Sequence, residues 1–126
     1  YGIHALETVY PIVGPGFESI QNIGDKDRNI VHLKHSRGID INIANINDML
    51  GGFGLLSLIG TKNGIQIKSN DTYYAFKKQL KTYVDYLKTG VKTVQWSETY
   101  ELMQLVSAGI ESRNKGGIKI NLNEVN

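Results

Sequence analysis

Cysteine is absent from the chain, which excludes disulfide bonds and thiolate metal ligands. This absence is compatible with a cytoplasmic location, which we expect for the protein. An excess of one charge is also lacking, because 14 basic and 12 acidic residues leave a net charge of +2. So small a charge gives no electrostatic argument for a nucleic-acid partner. No apolar run approaches the roughly 20 residues that span a bilayer, and no signal peptide is visible, so no membrane partner is expected.

What the chain does contain is typical of a soluble globular protein. Apolar residues make up 40% of it and charged residues 21%. Its 126 residues suffice for one domain with a core, and we interpret residues 1–126 as a single domain. The 14 glycines predict many turns.

The opening stretch, YGIHALETVYPIVG, has the periodicity of an amphipathic helix with His4 in its first turn. Its apolar residues recur at spacings of three or four, at Ile3, Leu6, Tyr10 and Val13. Gly14 and Pro15 predict the end of this helix. Pro11 is expected to kink or shorten it, because proline removes a helical hydrogen bond.

The middle of the chain predicts a sheet. Strands are expected at 17–23, 30–35, 39–43, 53–59 and 65–68, with a turn at 24–27 and a loop at 45–52. The clearest alternation is IDINI at 39–43, which predicts one dry face bearing isoleucines and one wet face bearing Asp40 and Asn42. Asn63-Gly64 ahead of the last strand predicts a β-hairpin.

Helical periodicity returns after this sheet. Asp71 is predicted to cap a helix over 72–88, which ends at Gly90. Ser97 is predicted to cap another helix that runs to about Arg113, and a final strand is expected at 118–122. The inward side chains of the later helix are predicted to be Leu102, Met103, Val106 and Ile110, with Ala108 and Gly109 permitting close approach. Strands followed by helices predict an α+β fold, with an open, mostly antiparallel sheet and helices on one face.

Several short motifs resemble, in order and spacing, the C-terminal domain of the Gfo/Idh/MocA-type oxidoreductases (glucose–fructose oxidoreductase, inositol dehydrogenase and relatives). At the start, Gly2-Ile3-His4-Ala5-Leu6-Glu7 is similar to the family's G-x-H-x-x-D/E segment, and Gly14-Pro15-Gly16 follows it. In the later half the matching motifs are Leu87-Lys88-Thr89-Gly90, Ser97-Glu98-Thr99, Glu111-Ser112-Arg113 and Gly116-Gly117. The resemblance covers nearly the whole chain.

The resemblance implies the substrate-binding and dimerisation domain of an NAD(P)-dependent enzyme acting on a sugar, a polyol or a similar hydroxyl compound. It implies that His4 transfers a proton to or from the substrate hydroxyl. An imidazole suits this role because its pKa lies near neutral pH. Glu7, one turn from His4, and Lys34, on the wet face of the sheet, are the predicted substrate-binding residues.

The cofactor of such an enzyme, NAD or NADP, would be bound by an N-terminal Rossmann domain that is absent from these residues. No G-x-G-x-x-G fingerprint occurs in the sequence. The isolated domain is therefore expected to be inactive and to bind no cofactor. No metal is expected either, since the histidines lack carboxylates at ligand spacing.

The expected protein partner is a second copy of the chain. In the resembled family the open sheet face commonly packs against another subunit, and an exposed, isoleucine-rich face here predicts the same homodimer. Two alternatives stay open. One is a non-catalytic open-sheet domain for binding or oligomerisation, and the other is an enzyme or ligand-binding protein of a different open-sheet family. For His4 by itself, the alternative is a histidine that only packs or lies exposed at a helix start.

Overall fold

Three α-helices and two antiparallel sheets form the regular structure in the parts of the chain that the computed structural model describes, residues 2–47, 54–68 and 71–124. This confirms the predicted α+β class and the open antiparallel sheet. In chain order the elements are α1 (Gly2–Val13), β1 (Phe17–Asn22), β2 (Arg28–His35), β3 (Ile39–Ile46), β4 (Leu55–Ile59), β5 (Gly64–Lys68), α2 (Thr72–Thr89), α3 (Trp96–Asn114) and β6 (Ile120–Asn121), followed by a 3₁₀ turn at Leu122–Glu124.

The larger sheet has the strand order β3-β2-β1-β6 and is antiparallel throughout. In the β2–β3 pair, Leu33 lies opposite Ile41 and Lys34 lies opposite Asp40. Directly opposed residues share a face, and successive residues alternate between the faces. Leu33 and Ile41 are buried, whereas Lys34 and Asp40 are exposed. The predicted dry and wet faces are therefore confirmed.

Helices α1 and α3 pack on the dry face and complete the core. The buried apolar side chains are Leu6, Val9, Tyr10, Val13, Phe17, Ile20, Leu33, Ile41, Leu102, Leu105, Ala108, Ile120 and Leu122. Where α3 comes closest to β1, a Cβ on Gly109 would lie 3.1 Å from Cδ1 of Ile20. The small residue therefore sets the distance between helix and sheet, and the predicted close approach is confirmed.

The chain divides into two compact units, one formed by Tyr1–Asp48 with Val94–Asn126 and the other by Met49–Thr93. All the core residues belong to the first unit. In the second unit, β4 and β5 form the smaller sheet and α2 follows, and none of the described side chains is buried. The interpretation of residues 1–126 as one domain stays a prediction.

The hairpin predicted from Asn63-Gly64 is present. Gly64 is the first residue of β5 and pairs with Ile59, so the loop consists of residues 60–63. The Gly60 amide donates a hydrogen bond of 2.9 Å to the Asn63 carbonyl and closes this loop. The Asn63 side chain in turn accepts from the Gly64 amide at 2.8 Å.

Helix α2 begins and ends as predicted. The Asp71 carboxylate accepts a hydrogen bond of 2.7 Å from the Tyr74 amide, and Gly90 ends the helix in the left-handed conformation. Its apolar stripe is exposed rather than buried, with Tyr73 and Phe76 at 77% and 61% of full exposure. Neither α2 nor another helix in the described ranges is long and apolar enough to cross a bilayer.

Helix α3 departs from the prediction at its start and on its inward face. It begins at Trp96, so Gln95 occupies the N-cap position and Ser97 lies within the first turn, where it caps nothing. The predicted inward residues Met103 and Ile110 are 52% and 45% exposed. Leu102 is buried as predicted, and the other buried residues of the helix are Leu105, Ala108, Gly109 and Ser112. Small residues face the sheet because they let the helix backbone approach it.

Several predicted strand boundaries also change, including the start of β2, which lies at Arg28 rather than at Ile30. β3 continues to Ile46, into the predicted loop at 45–52, and β6 is limited to Ile120–Asn121 because the 3₁₀ turn begins at Leu122. The predicted start of the fourth strand at Phe53 lies outside the described residues, as does most of the predicted loop.

Candidate functional site

The first turn of α1 presents His4 and Glu7 side by side. Nδ1 of His4 lies 3.0 Å from Oε2 of Glu7, and the two side chains are 61% and 51% exposed. An ionised carboxylate only accepts hydrogen bonds, so Nδ1 of the imidazole carries the proton in this contact. Nε2 is then the basic nitrogen of the neutral ring, and it is available to take a proton from a bound molecule.

Helix α1 is fixed by its opposite side. Its buried residues are Leu6, Val9, Tyr10 and Val13. Near the start of the helix, a Cβ on Gly2 would lie 3.7 Å from Nδ2 of Asn45 in β3. The helix continues past Pro11 and ends at Val13, immediately before Gly14, as predicted from Gly14 and Pro15, so Pro11 does not shorten it. His4 thus stands on a helix anchored to the core while its own ring faces outward.

The connection from α1 to β1 is held by Glu101 of α3. Oε1 of Glu101 accepts hydrogen bonds of 2.9 Å from the amides of Gly16 and Phe17, and Oε2 accepts one of 2.7 Å from the Tyr10 hydroxyl. Burial, with a further contribution from the Glu101 carboxylate, raises the pKa of the Tyr10 phenol above its ordinary value. The sequence analysis did not predict this role of Glu101.

His35 stabilises the same connection between α1 and β1. It is 2% exposed, its Nδ1 accepts from the Arg37 amide at 3.1 Å, and its Nε2 donates to the Pro15 carbonyl at 3.1 Å. The edge of its ring meets Phe17 with centroids 5.2 Å apart. Both ring nitrogens are therefore used by the fold. His32 points to the other face of the sheet, because residues three apart on a strand lie on opposite faces.

On the wet face, Asp40 joins two basic side chains of β2. Oδ1 of Asp40 lies 2.7 Å from Nε2 of His32 and also contacts Nζ of Lys34. Lys34, followed by His32, holds the pKa of the Asp40 carboxyl below its ordinary value. Among the residues that the structure describes, no three His, Asp or Glu side chains converge to hold a metal ion.

The low pKa of Asp40 gives a test of this cluster. We expect its carboxyl to titrate below the ordinary value of 3.8 in a carbon-detected NMR titration. A pKa lowered by folding adds stability above the unfolded pKa, and this stability is lost as pH falls through the folded value, below about pH 4. Lys34→Gln should raise the Asp40 midpoint, whereas Lys115→Gln, which removes the partner of Glu111, should leave it unchanged. A midpoint at or above 3.8 in the native chain would contradict the geometry.

The structure brings His4 and Glu7 together but separates both from Lys34. Lys34 lies between Leu33 and His35, which face the helices, so it points to the side of the sheet away from α1. The predicted grouping of Lys34 with His4 and Glu7 around one substrate therefore has no support in the geometry. An open face bearing Lys34 and Asp40 also differs from the exposed, isoleucine-rich face that we expected to form a dimer.

Gly14-Pro15-Gly16 does not form a dinucleotide site. It follows a helix and precedes a strand, whereas the dinucleotide fingerprint follows a strand and opens a helix. The Gly16 amide, which could otherwise donate to a phosphate, is taken by Glu101. Gly14-Pro15-Gly16 therefore does not fit the phosphates of NAD or NADP. Comparisons with protein-family models, with curated protein sequences and with solved structures find no match to this chain.

Proposed function

We propose that this chain is the substrate domain of an NAD(P)-dependent oxidoreductase of the Gfo/Idh/MocA type, acting on a sugar, a polyol or a similar hydroxyl compound. The support is the order and spacing of the motifs around His4, Gly90 and Gly116, together with an α+β fold whose sheet is covered on one face. We assign the cofactor to a domain outside these residues.

The observation that carries the proposal is the exposed pair of His4 and Glu7. Oxidation of a hydroxyl carbon requires the hydroxyl proton to leave, and a base within hydrogen-bond reach makes this easier. With Nδ1 held by Glu7 at 3.0 Å, Nε2 of His4 is oriented outward as that base. Glu7 acts as a positioning residue, because its carboxylate fixes the tautomer and stabilises the imidazolium that forms.

A homodimer through the open sheet face is part of the proposal. Directly opposed side chains on that face include Arg28 with Ile46 and Ile30 with Ala44, at the end of the β2–β3 pair away from Lys34. An interface over these residues would therefore combine apolar and charged side chains. Such a mixed surface is typical of protein–protein interfaces, which on the whole are about as apolar as the rest of a protein surface.

The test is the activity of the complete natural polypeptide that contains these residues. We expect it to reduce NAD⁺ or NADP⁺ with at least one compound from a panel of aldoses and polyols. His4→Ala should lower kcat about a hundredfold, because a general base typically contributes 10²-fold or more. Glu7→Gln should lower kcat less and shift the pH profile, which a purely structural role for Glu7 would not do.

His32→Ala is the matched control, since this histidine lies on the other face of the sheet and pairs with Asp40. It should leave kcat unchanged. Two results would contradict the proposal. One is no turnover with any compound of the panel, and the other is a His4→Ala variant as active as the native enzyme. The exposed apolar stripe of α2 would then favour the alternative, a non-catalytic domain for binding or oligomerisation.

A further inference from the structure

The wet face of the larger sheet contains a polar hollow of about 440 Å³. It forms because Ser19 on the central strand β1 lies opposite Lys34 on β2 and Asn121 on β6, so that a short side chain sits between two longer ones. The residues that line it are Glu18, Ser19, Lys34, Lys119, Asn121 and Asn123. Its volume falls in the range of small-molecule sites, but its lining carries no apolar side chain.

The floor of the hollow carries a hydroxyl. Ser19 lines the hollow and is only 3% exposed as a residue. A serine hydroxyl has one donor and two acceptor lone pairs, so a ligand oxygen placed in the hollow can form a hydrogen bond with it.

Two lysine side chains line the hollow. Lys34 forms an ion pair with Asp40. An ammonium group has three donors, so this contact with one carboxylate leaves donors for a ligand. Lys119 is the second lysine of the lining. Glu18 adds a carboxylate acceptor at the rim, and the amides of Asn121 and Asn123 both donate and accept. Ammonium groups bind an anionic group, while carboxylate and amides bind hydroxyls.

We propose that this hollow binds a small polyhydroxylated anion, of the sugar-phosphate or sugar-acid class. Lys34 and Lys119 bind the anionic group, Ser19 hydrogen-bonds it from the floor, and Glu18 binds hydroxyls of the same molecule. The hollow lies on the face of the sheet away from α1, so it is separate from His4. The inference therefore does not depend on the proposed oxidoreductase function.

The experiment is a titration of the ¹⁵N-labelled chain followed by amide chemical shifts. The probes are D-glucose 6-phosphate and D-gluconate, with D-glucose and inorganic phosphate as comparators. We expect at least one of the two anionic sugars to shift the amides of Ser19, Lys34 and Asn121 with a Kd of about 1 mM or lower. D-glucose should cause no shift, and inorganic phosphate should bind at least about tenfold more weakly, since it lacks hydroxyl contacts.

Variants identify the contacts. Lys34→Gln and Ser19→Ala should each weaken binding about tenfold, whereas Lys77→Gln on α2 and His4→Ala should not change it. Lys34 is exposed, so Lys34→Gln tests the site even if Ser19→Ala disturbs the fold. Three results would each overturn the proposal: no shift with either anionic sugar, equal binding of inorganic phosphate, or equal weakening by Lys77→Gln. Unchanged binding in His4→Ala keeps this test distinct from that of the oxidoreductase.

Discussion

Replacing Glu101 by alanine is expected to lower the free energy of unfolding by about 4 kcal/mol, because three hydrogen bonds to one carboxylate are lost and each contributes about 1.5 kcal/mol. The amides of Gly16 and Phe17 and the hydroxyl of Tyr10 would all lose their acceptor. These groups lie at the connection between α1 and β1, which is partly buried, so the variant would destabilise this connection. Urea unfolding of the native and variant chains measures the difference.

Two further variants on α3 test whether the loss of stability is specific to the Glu101 carboxylate. Glu101→Gln keeps one oxygen acceptor and should cost less than the alanine change. Glu111→Ala removes only the exposed pair with Lys115, and should cost about 0.5 kcal/mol or less. If Glu101→Ala were as stable as Glu111→Ala, the Glu101 carboxylate would not be what stabilises the connection between α1 and β1.

Replacing Leu105 by alanine is expected to lower the free energy of unfolding by about 3 kcal/mol, as leucine-to-alanine changes in protein cores cost 2–5 kcal/mol. Leu105 is fully buried between α3 and the sheet. The cost combines the lost transfer of the side chain from water with the cavity that remains. The same urea unfolding experiment measures it.

Met103→Ala is the matched control on the same helix. Met103 is 52% exposed, so its truncation should cost less than about 1 kcal/mol. The sequence alone predicted Met103, and not Leu105, on the inward face. If Met103→Ala proved the more costly change, α3 would have the orientation predicted from periodicity and the packing described above would be wrong.

The features that could be predicted from the sequence are those that depend on residues close together along the chain. Asp71 and Gly90 bound α2 through a cap and a left-handed glycine, both of which are local. The alternation at 39–43 likewise fixes the two faces of β3. The inward face of α3 is not local, because apolar residues occur around the whole helix. The close approach of Gly109 to Ile20 settles it, and that is a tertiary contact.

The contacts of the candidate site also fall into local ones, which the sequence predicts, and distant ones, which it does not. His4 and Glu7 lie within one turn of a helix, so their contact follows from their spacing. The separation of Lys34 from His4 depends on which face of the sheet α1 covers, and alternation does not reveal that. The bond from the Gly16 amide to Glu101 joins residues 85 positions apart. No local pattern indicates such a contact, so Glu101 could be found only in the structure.

The first unit is built from two stretches of chain that are separated by the whole of Met49–Thr93. A ribosome releases α1 and β1–β3 first, and these elements then lack helix α3, which packs against Ile20. The intervening stretch adds little to the entropy of closing the loop, which rises only with the logarithm of its length. Contacts across it are nonetheless distant in sequence, and such contacts slow folding. The core of this unit can therefore be completed only after Leu122 has been synthesised, and until then its apolar sheet face is open to chaperones.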